Sequence, residues 1–119
     1  MQLRTLMAKT AFNTMQIIRK YNREDDIETW DKLNYERKKQ VRGTVNAVIE
    51  NPYITAKEIH IKWENIKLKD GWKYAPATDR SKKLHACLVP FEKLNDYQKM
   101  KDDIFIEIVK NIYNEFEKK

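Results

Sequence analysis

At 119 residues the chain has room for one domain, and it is basic: 24 Lys and Arg against 18 Asp and Glu leave a formal net charge of +6. Its two glycines, Gly43 and Gly71, are too few for a glycine-rich phosphate loop or a many-turned β-sandwich. No run of about 20 apolar residues occurs, so no membrane span is expected, and Arg4, Lys9 and Asn13 break up the apolar pattern a signal peptide would need.

Residues 2–22 carry Leu3, Leu6, Met7, Ala11, Thr14, Ile18 and Tyr21 at helical spacing, which predicts an amphipathic helix ended by the charged run Arg23–Asp26. A connector with Ile27, Trp30 and Leu33 follows, and Trp30 reads as a plug between helices. Asn34 can cap a second helix whose buried stripe is Val41, Val45, Val48 and Ile49, stopping before Pro52. Thr55 and Glu58 form a capping box, with Ile54 and Ile59 at the staple positions. The third helix then shows Ile59, Trp63 and Ile66 on one face, and Gly71 can take the left-handed conformation that ends it. Trp72 and Tyr74 alternate with Lys73 as in a strand, and Leu84–Val89 is expected to return as an antiparallel partner. Asn95, with Gln98 three residues on, opens a last helix striped by Met100, Ile104, Ile108, Ile112 and Phe116. The fold class is therefore mainly α (α+β), a helical domain with one short antiparallel β-hairpin. Cys87, between Ala86 and Leu88, reads as a small buried residue. A soluble cytoplasmic protein is expected.

The segment Gly71–Phe91 concentrates the chemistry. It holds two large aromatics, several cations, an aspartate and a histidine, and it overlaps a basic stretch. Residues 57–83 carry eight cations (Lys57, Lys62, Lys67, Lys69, Lys73, Arg80, Lys82, Lys83) and four acids (Glu58, Glu64, Asp70, Asp79). Aromatic faces beside mobile cations suit a flat anionic ligand, since the ring stacks while the charges hold phosphate or carboxylate. A catalyst would need parts the chain lacks. His60 and His85 stand far apart in sequence, and no nucleophile elbow, Walker or dinucleotide motif occurs. Two histidines without a cysteine cluster do not make a zinc site. No enzyme activity, metal or cofactor is expected. His60 lies one position off the Ile59–Trp63 face and reads as a helix-flanking, half-buried histidine; His85, near the cations, is the better ligand contact. Trp63 reads as core. Trp72 stands between core and cleft, and Tyr74, on the same strand face, goes with it.

Taken in order, Ile59-His60-x-x-Trp63, Gly71-Trp72-Lys73-Tyr74, Asp79, Lys82-Lys83, His85, Leu88-Val89-Pro90-Phe91, Leu94 and Lys99 resemble the ryanodine-receptor repeat (RyR) domain over about residues 47–113. The chain departs from the common pattern at Ala75 (usually glycine), Ala86 (usually proline) and Phe91 (usually tyrosine). The part with Trp30 and the helix toward Asn51-Pro52 resembles the extension of short stand-alone bacterial and phage members. The division that follows is an N-terminal helical extension over 1–46 packed on an RyR-like domain over 47–119.

The resemblance implies an α-β-β-α binding module that does no catalysis. In the large receptors such repeats occur in tandem, so a single copy implies a homodimer or higher homo-oligomer. It also implies a nucleotide-like anionic ligand. On that reading Trp72 and Tyr74 stack its ring, Arg80, Lys82 and Lys83 meet phosphate oxygens, Asp79 accepts from a ribose hydroxyl or base amine, and His85 donates to the anion. No membrane partner is expected. Two other readings stand beside this one. The Asn51 to Ile59 stretch resembles a helix-turn-helix that would bind nucleic acid, although its second helix has few base-reading side chains. An adaptor could instead dock proteins through an exposed patch of Tyr53, Phe91 and Tyr97.

Overall fold

The computed structural model describes residues 2–117. Four α-helices carry the chain: α1 (Leu3–Tyr21), α2 (Tyr35–Glu50), α3 (Ala56–Lys69) and α4 (Asp96–Ile112), the last running on into a π-helical turn at Tyr113–Glu117. Two two-residue strands, β1 (Lys73–Tyr74) and β2 (Leu84–His85), form a small sheet. Short 3-10 turns sit at Trp30–Lys32, Arg80–Lys82 and Phe91–Lys93. The mainly α class with a little β is thus what the molecule adopts. Contacts group the residues into two compact units: the chain up to Ile54 with the segment from Asp103 onward, and Thr55–Asp102.

In the first unit, α1 buries Met7, Ala8, Ala11 and Phe12, while α2 buries Val45 and Val48. Asn34 caps α2 as expected, its side chain accepting the Arg37 amide at 2.9 Å. Trp30 is 3% exposed, and its ring meets Phe12 edge-on at 6.3 Å. Its amide donates to Asn13 Oδ1 at 3.0 Å, so the irregular connector leaves no orphan donor there. Arg19 gathers the rest of the connector, binding Gln16, Glu24 and Asp26, and Arg37 pairs with Glu28. Two expected stripes are corrected. On α1, Leu6 and Tyr21 face solvent. On α4 the buried pair is Ile106 and Val109, with Met100 and Phe116 exposed. A strict i, i+4 ladder turns about 40° per step around a helix, so over four steps it cannot stay on one face.

The second unit begins where the capping box forms: Thr55 Oγ1 accepts the Glu58 amide, and Glu58 reaches back to the Thr55 amide. α3 turns Ala56, Ile59, His60 and Lys67 inward, with Trp63 half-buried and Ile66 48% exposed. The expected Ile59–Trp63–Ile66 face is therefore rotated toward His60 and Lys67. A lysine can occupy such a place because its four-carbon stem packs as an apolar chain. α3 ends in a Schellman motif. Gly71 takes φ 85°, Trp72 N–H donates to Lys67 O at 3.0 Å, and Gly71 N–H donates to Leu68 O at 3.1 Å. That turn leads Trp72 straight to burial, at 9% exposure, with the Lys67 ammonium 4.4 Å from its ring centroid.

The sheet also corrects an expectation. β1 and β2 pair in parallel, Lys73 opposite Leu84 and Tyr74 opposite His85, through Lys73 N–H to Lys83 O (2.9 Å) and Ala75 N–H to His85 O (3.4 Å). The antiparallel partner of Leu84 is Asp79, bridged by reciprocal bonds of 2.9 and 3.0 Å. The chain reverses twice between the strands, the second time around the Arg80–Lys82 turn and the left-handed Lys83 (φ 54°). The Asp79 carboxylate fastens this turn by accepting from Ser81 N–H (3.1 Å) and Oγ–H (2.6 Å).

Two outcomes follow. Trp72→Ala lowers unfolding stability by about 3–5 kcal/mol, the usual cost of emptying a buried aromatic site, and urea titration measures it. The Ser81 hydroxyl, donating to the Asp79 carboxylate, holds that carboxyl below its ordinary range. A depressed carboxyl contributes its stability above the unfolded value and loses it as pH falls through the folded one. The Ser81 amide proton, followed by NMR, therefore keeps its bonded shift at neutral pH and loses it only in acid below the ordinary Asp range. In Asp79→Asn that acid step disappears.

Candidate ligand groove

The family-like aromatic and histidine positions meet in one cluster inside the second unit. His60 stacks on Trp63 at 5.5 Å, and Trp63 meets His85 edge-on at 4.8 Å. Trp72 lies 6.2 Å from His85, and Phe91 lies 6.1 Å from His60. Trp72 Nε1–H donates to Asp70 Oδ2 at 3.3 Å, and Lys83 Nζ donates to Asp70 O at 2.9 Å. The indole is thus held at its edge by Asp70 and covered on a face by Lys67.

Beside this cluster lies an open groove of about 530 Å³, lined by Tyr74, Ala86, Cys87, Val89, Pro90, Lys93, Leu94, Asn95 and Gln98. Four of these residues belong to the irregular stretch from Ala86 to Pro90, three of whose backbone polar groups are met by side chains. Ala86 N–H donates to Thr78 Oγ1 (3.1 Å), and Cys87 N–H donates to His85 Nδ1 (3.0 Å). His60 Nε2–H donates to Val89 O (2.7 Å). These bonds settle two ring states. His85 accepts at Nδ1, so its neutral form carries the proton on Nε2; His60 carries a proton on Nε2.

The groove has one ammonium, Lys93, two amide side chains, and no carboxylate among its lining residues. Next to Lys93, Glu92 is bound by Lys57 at 2.6 Å, and that bond holds the Glu92 carboxyl below its ordinary range. The Asn95 side chain accepts the Gln98 amide at 2.9 Å and so caps α4 at the groove's end. Half-buried Cys87 lines the groove and is not the core residue expected.

The seven residues expected to share a site fall into three places. Tyr74 lines the groove and is 55% exposed. Trp72 and His85 lie in the aromatic cluster, so Tyr74 does not go with Trp72 as its strand position suggested. Asp79, Arg80, Lys82 and Lys83 belong to the turn before β2, where Asp79 is taken by Ser81 and Lys83 by Asp70. Sequence reasoning missed Lys93, Asn95 and Gln98. Lys93 lies outside the basic stretch of 57–83, and the Asn95–Gln98 spacing signals only a helix start. It also missed Thr78, for which no pattern exists. Among the described residues, no three His, Cys, Asp or Glu side chains stand where they could hold a metal ion. No helix there is long and apolar enough to cross a membrane.

The sequence matches the family model of the RyR domain over residues 50–114 of the 119. That span contains α3, both strands, the aromatic cluster and the groove. The H-x-x-W, G-W-x-Y and K-K-x-H elements that carried the resemblance supply His60, Trp63, Trp72 and His85 to the cluster, while Tyr74 stays outside it. With the match covering more than half of its length, this chain belongs to the RyR domain family.

Proposed function

We propose that this RyR domain is a non-catalytic module that binds, or sequesters, a nucleotide-like anionic small molecule. The groove beside Tyr74 is the observation that carries the reading. Tyr74 offers a half-exposed ring for stacking, Lys93 supplies a cation, Asn95 and Gln98 add amides to the lining, and Val89, Pro90 and Leu94 add apolar surface. A concave site of this size with few convergent polar groups suits a small ligand. Arg80, Lys82 and Lys83 act at longer range, adding to the positive field that draws an anion toward the groove. No acid–base chemistry is assigned, because both histidines hold backbone groups in place.

Association of two chains belongs to the same proposal, since the repeats that this domain resembles face one another in pairs. Sedimentation at high protein concentration then returns twice the chain mass; a strict monomer argues against the pairing.

The ligand is sought by thermal melting against mononucleotides, cyclic di- and trinucleotides and ADP-ribose derivatives. A true ligand at 100 times its Kd stabilises the fold by about 2.7 kcal/mol. Tyr74→Ala removes on the order of 1–3 kcal/mol of binding, as expected for a lost stacking partner, and leaves the unliganded melt unchanged. Lys93→Glu abolishes binding of the anion. If a nucleotide binds and both variants bind it as the parent does, the groove is not its site.

A further inference from the structure

In the first unit, α2 presents a face that its own unit leaves open. Tyr35 is 66% exposed in the first turn. Lys39 and Arg42 follow four and seven residues later, so helical spacing sets all three in one stripe. Among the described residues, neither Lys39 nor Arg42 makes an ion pair or a side-chain hydrogen bond. Four other cations of this unit are engaged, Arg37 with Glu28, Arg19 with Glu24, Arg4 with Glu117 and Lys9 with Asp31, and none of these lies on the stripe. Lys38, at the stripe's edge, keeps its ammonium 5.7 Å from the Trp30 ring centroid. The acids of α2 are Glu36, at the helix start where the dipole suits it, and Glu50 at the far end.

Gly43 is the second observation. It stands one turn on from Lys39, and a Cβ built there meets nothing within 4 Å. Packing inside the chain therefore does not explain a glycine, which weakens a helix interior relative to alanine. Close approach of another molecule's backbone does explain it.

We infer that this face docks a single-stranded nucleic acid, its phosphates on Lys39 and Arg42, one base on Tyr35, and its backbone passing over Gly43. An acidic protein helix fits less well, since the exposed positions Tyr35, Lys39, Gln40 and Gly43 offer no apolar seam to bury. A duplex keeps its base faces stacked inside, which would leave the exposed ring without a partner. This surface is separate from the Tyr74 groove and does not depend on it.

Fluorescence anisotropy of the full chain with a labelled 20-mer of deoxythymidine is the test. Affinity falls linearly in log–log form with salt, as counterion release requires. Lys39→Glu with Arg42→Glu weakens binding at least about tenfold and flattens the salt slope by about 1.4, two phosphates' worth. Lys62→Glu with Lys69→Glu, an equal change of net charge on exposed positions of α3, leaves affinity unchanged. Tyr35→Ala costs about five- to 150-fold, the range for one stacked base. Gly43→Gln raises the melting temperature yet weakens binding. The proposal is overturned if the α3 pair loses as much affinity as the α2 pair, if polyglutamate competes as well as the oligonucleotide, or if Tyr35→Ala and Gly43→Gln bind unchanged. Tyr74→Ala, which reports on the groove, has no effect in this assay.

Discussion

The groove rests on side chains doing for an irregular backbone what a ladder does for a strand. Between β2 and the Phe91 turn the chain has almost no regular pairing, yet its polar groups must be met for that wall to keep one shape. His60, His85 and Thr78 meet three of them, at Val89 O, Cys87 N and Ala86 N. Losing a partner would leave a carbonyl or amide unsatisfied, and the cost of an unmet group exceeds the modest gain of one made. The lining of the groove is in this sense an output of two histidines that do not line it.

Lys67 and Trp72 form the other constraint. A lysine at 7% exposure on the inner side of α3 is unusual among charged residues. Its stem packs, and its ammonium faces an indole whose quadrupole attracts a cation, a contact strengthened by partial desolvation. The Schellman turn at Gly71 is what delivers Trp72 to that place within two residues of the helix end. Aromatic residues that look, in a string of letters, like an open stacking platform are thereby consumed in holding the unit together. Tyr74, two positions on, is the ring left outside.

Charge is distributed with a similar division of labour. In the connector after α1, Arg19 and Arg37 are bound to Glu24, Asp26 and Glu28, and there cations organise the chain's own loop. In the turn before β2, Lys83 is drawn to Asp70. The excess that makes the protein basic is carried by lysines and arginines outside these local bonds, where it sets a positive field around the chain rather than its fold.

Much of the architecture was legible from letters alone, for local reasons. Asn34, the Thr55–Glu58 box, Gly71 and Asn95 each satisfy or release backbone groups within a few residues, so helix starts and stops were readable before any packing was known. The ordered motif from His60 to Lys99 likewise identified the family, although it did not say which of its residues line the groove. Tertiary structure decided the rest. Which face of α3 turns inward, whether β1 and β2 run parallel, and where Trp72 and Tyr74 part company depend on residues far apart in sequence meeting in space. The paths around Lys83 and the seat of Lys67 against Trp72 set those answers, and helical periodicity constrains only spacing along an element, not the rotation or direction in which a neighbour will take it up.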